Sequence, residues 1–99
     1  MAKFSIKLNE KEYELVEDVI VIGRGEDADI MIDSTKLSRM HARFITEGDK
    51  LCVEDLGSKN GTFVNGDRIS EKKELVRGDN LKLADMECTF SSEGGGTAE

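Results

Sequence analysis

Apolar residues recurring with period two, turn residues interrupting them every several positions, and the lack of helically spaced apolar stretches predict an all-β domain. The segments number about ten or eleven short strands, enough for a sandwich or a barrel. Phe4, Ile6 and Leu8 alternate with Ser5 and Lys7, and Asn9-Glu10-Lys11 makes a hairpin turn before Tyr13 and Leu15. Val19 to Ile22 is an apolar run ending at Gly23, and Ile30 to Ile32, bounded by aspartates, is too short for a helix and reads as a strand. Met40 to Thr46 and Lys50 to Leu56 form a second hairpin around Glu47-Gly48-Asp49, with Leu51 and Val53 on one face and Cys52 and Glu54 on the other. Two Asn-Gly pairs, Asn60-Gly61 and Asn65-Gly66, flank Thr62-Phe63-Val64, each suited to a turn needing positive φ. Gly78-Asp79 separates Leu75-Val76 from Leu81 and Leu83, and Asp85-Met86 leads to Cys88-Thr89-Phe90.

The 99 residues suffice for one modest core and not for two. The folded domain is expected over residues 1–91. Residues 92–99, with three consecutive glycines and almost nothing apolar, read as a disordered tail or the start of a linker. No apolar run approaches a membrane span, and the first residues lack a secretory h-region and cleavage site, so a cytoplasmic chain with no membrane role is expected.

A formal net charge of -7 argues against sequence-independent nucleic-acid binding, which needs basic surface, so any bound phosphate must meet a local basic cluster. One histidine and two distant cysteines give no zinc spacing, and no calcium loop appears, so no metal and no cofactor are expected. Neither Cys52 nor Cys88 has a neighbouring basic group that would activate it, and both read as free, unreactive thiols.

Chemistry concentrates in three segments at strand ends or in loops: Gly23-Arg24, Ser38-Arg39-Met40-His41, and Leu56 through Gly66. Arg24, following a strand and a glycine, carries a planar fork suited to bidentate capture of a carboxylate or phosphate. Ser38 adds a hydroxyl donor, Lys59 a point charge, and Asn60 an amide that donates and accepts, a set fitting one phosphate and an adjacent peptide backbone. Taken singly, each has a plainer role, as a solvated surface charge or a turn former.

Taken jointly, Gly23-Arg24, then Ser38 and His41, then Asp-Leu-Gly-Ser-x-Asn-Gly-Thr-x-x-Asn-Gly from Asp55 to Gly66 resemble the forkhead-associated (FHA) domain, and the resemblance spans nearly all of residues 4–91. It implies a sandwich of about eleven mostly antiparallel strands, with loops at one end that bind phosphothreonine peptides. By motif position, Arg24 and Ser38 would contact the phosphate, Arg39 and Lys59 would assist, and Asn60 would bond the ligand backbone. Lys36 would face the ligand side chain three positions after the phosphothreonine, where a lysine favours an acidic residue. Gly23, His41, Gly61 and Asn65 would support the loops.

The implied function is a phosphothreonine-dependent signalling adaptor whose partner is a phosphorylated protein, such as a Ser/Thr kinase or its substrate. Its expected oligomeric state is a monomer. A phospho-independent interaction or oligomerisation module on the same fold stays open beside it. An enzyme would have to rest on Ser38, His41 and Asp55, but the i, i+3 spacing on an extended segment sends Ser38 and His41 to opposite faces. The sequence also lacks a nucleophile elbow, so no catalytic residue is assigned. Asp55 is expected to bond its own loop.

Overall fold

The alternating pattern folds into eleven strands in the computed structural model, which describes residues 3–8 and 10–93. In chain order these are β1 (Lys3–Leu8), β2 (Lys11–Leu15), β3 (Val19–Gly23), β4 (Ile30–Met31), β5 (Ala42–Glu47) and β6 (Lys50–Asp55). They continue as β7 (Thr62–Val64), β8 (Asp67–Arg68), β9 (Lys73–Leu75), β10 (Leu81–Leu83) and β11 (Met86–Glu93). Two sheets result, one in the order β2-β1-β11-β10-β7-β8 and one in the order β4-β3-β5-β6-β9. The sandwich is therefore the outcome of the two all-β alternatives. Its pairing is antiparallel except between β3 and β4. No helix among the described residues is long and apolar enough to cross a membrane.

Alternation fills the space between the sheets. Ile20 and Ile22 of β3, Ala42 and Phe44 of β5, and Leu51 and Val53 of β6 meet Phe4, Ile6, Leu8, Leu81, Leu83 and Cys88 of the other sheet in one buried cluster. Burying each large side chain stabilises the fold by roughly 1.5 to 3 kcal/mol. The unbroken apolar run of β3 has the same explanation: Ile20 and Ile22 point inward, while Val19 is 45% exposed on the outer face.

Several boundaries differ from the sequence expectation. The strand placed over Ile30 to Ile32 shortens to Ile30–Met31, because only these two residues pair with Ile22 and Gly23. The strand expected from Met40 begins at Ala42, since Ser38 to His41 bend rather than extend. Of the two Asn-Gly pairs, Asn65-Gly66 has positive φ at both residues and closes the β7–β8 hairpin. In the other pair only Gly61 has positive φ, so Asn60 sits in a longer loop.

Cys52 is on the face opposite the core, as alternation requires, yet it is only 4% exposed. The Glu47–Lys72 ion pair beside it contributes to that cover, with Cys52 Sγ 3.9 Å from Glu47 Oε1. β11 runs past residue 91 because its ladder continues, Ser91 against Ser5 and Ser92 against Phe4. Residues 94–99 of the tail expected over 92–99, and Asn9 of the first turn, lie outside the described residues.

Candidate functional site

The end of β3 is held by close backbone approach. A Cβ on Gly23 would lie 2.1 Å from the Arg39 carbonyl oxygen, so only glycine lets the β4–β5 loop come this near. Arg24 N donates to Ser38 O at 2.9 Å, and Gly25 N donates to Arg39 O at 3.0 Å. The buried Leu37 pins the facing loop to the core, and its carbonyl accepts from Arg24 Nε at 3.1 Å. One donor of the guanidinium thus orients the group, and its four terminal N–H bonds are left for a ligand. Arg24 and Arg39 are exposed and, with Gly25, Glu26, Asp27 and Met40, line an open depression of about 570 Å³.

Ser38 faces the β6–β7 loop, where its Oγ accepts from Lys59 N at 3.0 Å. The hydroxyl proton is not used in that bond, so Ser38 retains a donor. Lys59 is exposed beside it. Asn60 Nδ2 donates to Lys36 O at 2.7 Å, tying the two loops together across the site. The Asn60 carbonyl oxygen and second amide proton are not consumed by that bond. Lys36, expected to face a ligand side chain, pairs with Asp85 at 2.8 Å, both side chains exposed.

Beneath these groups lies a half-buried network. Asp55 Oδ2 accepts from Gly57 N and Ser58 N, each at 3.0 Å, and Oδ1 accepts from the Ser58 and Thr62 hydroxyls. Ser58 Oγ in turn accepts from Gly61 N at 3.0 Å. Burial pushes the Asp55 carboxyl upward, but the hydrogen bonds from the Ser58 and Thr62 hydroxyls and from Ser58 N–H hold it below its ordinary value.

His41 is fully buried; its Nδ1 accepts from Ser38 N at 3.1 Å and its Nε2 lies 2.8 Å from Gly61 O, the arrangement of a neutral ring protonated at Nε2. The premise that Ser38 and His41 sit on opposite faces of an extended segment fails, because the segment bends to let the Ser38 amide reach the ring. A serine–histidine proton transfer still has no geometry, since both ring nitrogens are engaged by backbone groups.

Gly61 O accepts a second bond, from Ala84 N at 2.9 Å, which brings in the β10–β11 turn. Ala84 takes φ of +59° there, and the turn carries Asp85 to Lys36. Three segments therefore meet at one carbonyl. The sequence reading missed Ala84, Asp85 and Arg68, whose Nη2 donates to Ser58 O at 3.3 Å. No local signal marked them, because each acts on a residue far away in sequence.

Arg24, Lys36, Ser38, Arg39, Lys59 and Asn60 thus lie on loops at one end of the sandwich, with Gly23, His41 and Gly61 beneath them. Asn65 does not join them: it bonds Asp79 and Asn80 beyond the far end of β7. Hydrogen bonds donated by Val76 N–H and, next, by the Asn65 amide hold the Asp79 carboxyl below its ordinary value. Burial pushes the Cys88 thiol up to about 12, and burial followed by the Glu47 carboxylate raises Cys52, so neither thiol is activated. Among the described residues no group of three or more His, Cys, Asp or Glu is placed to hold a metal ion.

The transcriptional regulatory protein EmbR of Mycobacterium tuberculosis is 39% identical to this chain over 74 residues, which are 75% of this chain and 19% of that protein. The chain thus spans less than a fifth of that relative's length. The structure of EmbR in complex with a low-affinity phosphopeptide superposes with a TM-score of 0.86 at 34% identity, covering 95% of this chain and 26% of the other. A structure from work on phosphothreonine-dependent FHA domain interactions superposes with a TM-score of 0.84 at 29% identity, covering 93% of this chain and 98% of the other. The FHA domain model matches residues 20–84, and on that match the chain belongs to the FHA domain family.

Proposed function

We propose that this domain is a phosphothreonine-dependent interaction module in which Arg24, Ser38, Arg39 and Lys59 receive the phosphate and Asn60 bonds the ligand backbone. The observation that carries the reading is the placement of Arg24, Ser38 and Lys59 on loops already locked to one another, with ligand-ready donors facing out. The EmbR phosphopeptide complex and the phosphothreonine-dependent FHA structure support it by likeness of fold and sequence.

A phosphothreonine brings about -1.5 to -2 charge and three acceptor oxygens at neutral pH. The terminal nitrogens of Arg24 supply a bidentate pair, Ser38 Oγ supplies a directional donor, and Lys59 and Arg39 supply charge. Because the loops are fixed before the ligand arrives, little ordering entropy opposes binding. The protein's net charge of -7 repels the ligand at long range, so association depends on this local cluster and weakens with added salt. The partner is a phosphorylated protein, such as a Ser/Thr kinase or a kinase substrate, and the domain acts as an adaptor.

A phosphothreonine-oriented peptide library titrated beside its unphosphorylated twin tests this reading. Binding is expected only with the phosphate present. The same peptide carrying phosphoserine should bind more weakly, and equal affinity would show that the threonine methyl group contributes nothing.

A further inference from the structure

The peptide unit between Ser58 and Lys59 is bonded at both ends. Its N–H, on Lys59, donates to Ser38 Oγ at 3.0 Å, and its carbonyl, on Ser58, accepts from Arg68 Nη2 at 3.3 Å. Arg68 reaches it from β8, where it stands opposite Phe63, and its side chain lies against the Gly61 backbone: a Cβ on Gly61 would be 2.9 Å from Arg68 Nε. Asp55 holds the Ser58 amide and hydroxyl from within. Ser58 is therefore gripped by a carboxylate through its donors and by a cation through its carbonyl.

We propose that Arg68 is a positioning residue for phosphate capture: through the Ser58–Lys59 peptide it aims the Ser38 hydroxyl. The inference rests on the phosphopeptide reading above and assigns Arg68 no contact with the ligand. A peptide unit is planar, so the direction of its C=O fixes the direction of its N–H. Arg68 on the oxygen therefore sets where the Lys59 N–H points, and it polarises the unit, which strengthens that donor. The Lys59 N–H occupies one lone pair of Ser38 Oγ, and the hydroxyl proton is left to turn toward a ligand acceptor. His41 Nδ1 already fixes the Ser38 backbone by accepting its N–H at 3.1 Å, so the side chain is the part that Arg68 governs. Without the Arg68 bond the peptide unit is free to rock, and Ser38 must then be ordered as the ligand binds.

The test compares isotope-labelled wild type and Arg68→Met by NMR, first free and then titrated with one phosphothreonine peptide and its unphosphorylated twin, a readout that still follows millimolar dissociation constants. Methionine keeps an apolar stem over Gly61 and removes the donor, and because Arg68 is exposed the variant should keep the wild-type circular dichroism spectrum. In the free protein the Lys59 amide proton should move upfield in Arg68→Met, the mark of a weakened donor. The phosphopeptide should bind about three- to fivefold more weakly. In a Ser38→Ala background the same substitution should change affinity less than about twofold, because nothing is left to aim. A Lys59 amide proton that stays in place, an unchanged affinity, or an equal loss in both backgrounds, the sign of a charge acting directly on the ligand, would each overturn this inference and leave the phosphopeptide reading standing. No phosphate-dependent binding by wild type would overturn both.

Discussion

Two carboxylates stand at the same end of this molecule and do opposite work. Asp55 is sunk under the β6–β7 loop, where two backbone amides and two hydroxyls converge on its oxygens. Asp85 stands in the open on the β10–β11 turn, with a side chain 59% exposed and one lysine as its partner. The same functional group therefore fixes shape in one place and adjusts surface charge in the other. Burial and the number of donors make the difference, because water screens the exposed pair and competes for it.

The largest effect that sharpens this contrast is expected from Asp55→Ala. It strips partners from Ser58, which is 6% exposed, and from Thr62, which is fully buried. Leaving such groups unsatisfied should cost about 3 kcal/mol of folding stability, read as a lower midpoint in urea denaturation. Ligand affinity should fall with it, since Ser58 and Gly61 of this network carry the loop that presents Lys59 and Asn60. A stable Asp55→Ala variant with unchanged affinity would break the comparison.

Acid titration should separate the two carboxylates next. Asp55 has a folded value held below its ordinary 3.8, so the unfolded chain takes up the proton first. Its contribution is therefore complete above about pH 4 and is lost as pH falls through the lower folded value. Stability measured from pH 5 downward should drop in wild type more steeply than in Asp55→Asn. The Asp85 carboxyl is also held low, by its hydrogen bond to Lys36 and against slight burial, but solvent screening leaves it little influence on folding. Asp85→Asn should accordingly show the smallest effect, a Tm indistinguishable from wild type. A clear loss of stability there would mean that the exposed pair braces the turn.

How far each region was legible in the sequence follows the same physics. Gly23-Arg24 and the loop from Asp55 to Gly66 could be read because turn chemistry is local: Asp55 bonds Gly57, Ser58 and Thr62 within its own segment. The sandwich itself was legible from alternation, since a period of two sorts Leu51 and Val53 from Cys52 and Glu54 without reference to any partner strand. The burial of Cys52 was not, because an ion pair between the neighbouring strand β5 and the residue before β9 helps cover it.

The pairing of Lys36 with Asp85 was equally invisible, as it depends on the register that brings the β10–β11 turn beside the β4–β5 loop. The reading of His41 failed at one step for a similar reason. Spacing on an ideal strand sends i and i+3 to opposite faces, but the Ser38 amide needed an acceptor, and the chain bent to give it His41 Nδ1.

The central claim is that the loops hold Arg24 ready for a phosphate, and the direct test is calorimetric titration of one phosphothreonine peptide and its unphosphorylated twin against wild type and Arg24→Ala. Arg24 is exposed and gives the fold one side-chain hydrogen bond, so the variant should keep the wild-type circular dichroism spectrum. Loss of two charge-assisted bonds should weaken the phosphopeptide by about 100-fold or more, down to the level of the twin. A folded Arg24→Ala protein that still binds the phosphopeptide within about tenfold of wild type would contradict the account, since each charge-assisted bond is worth about that much.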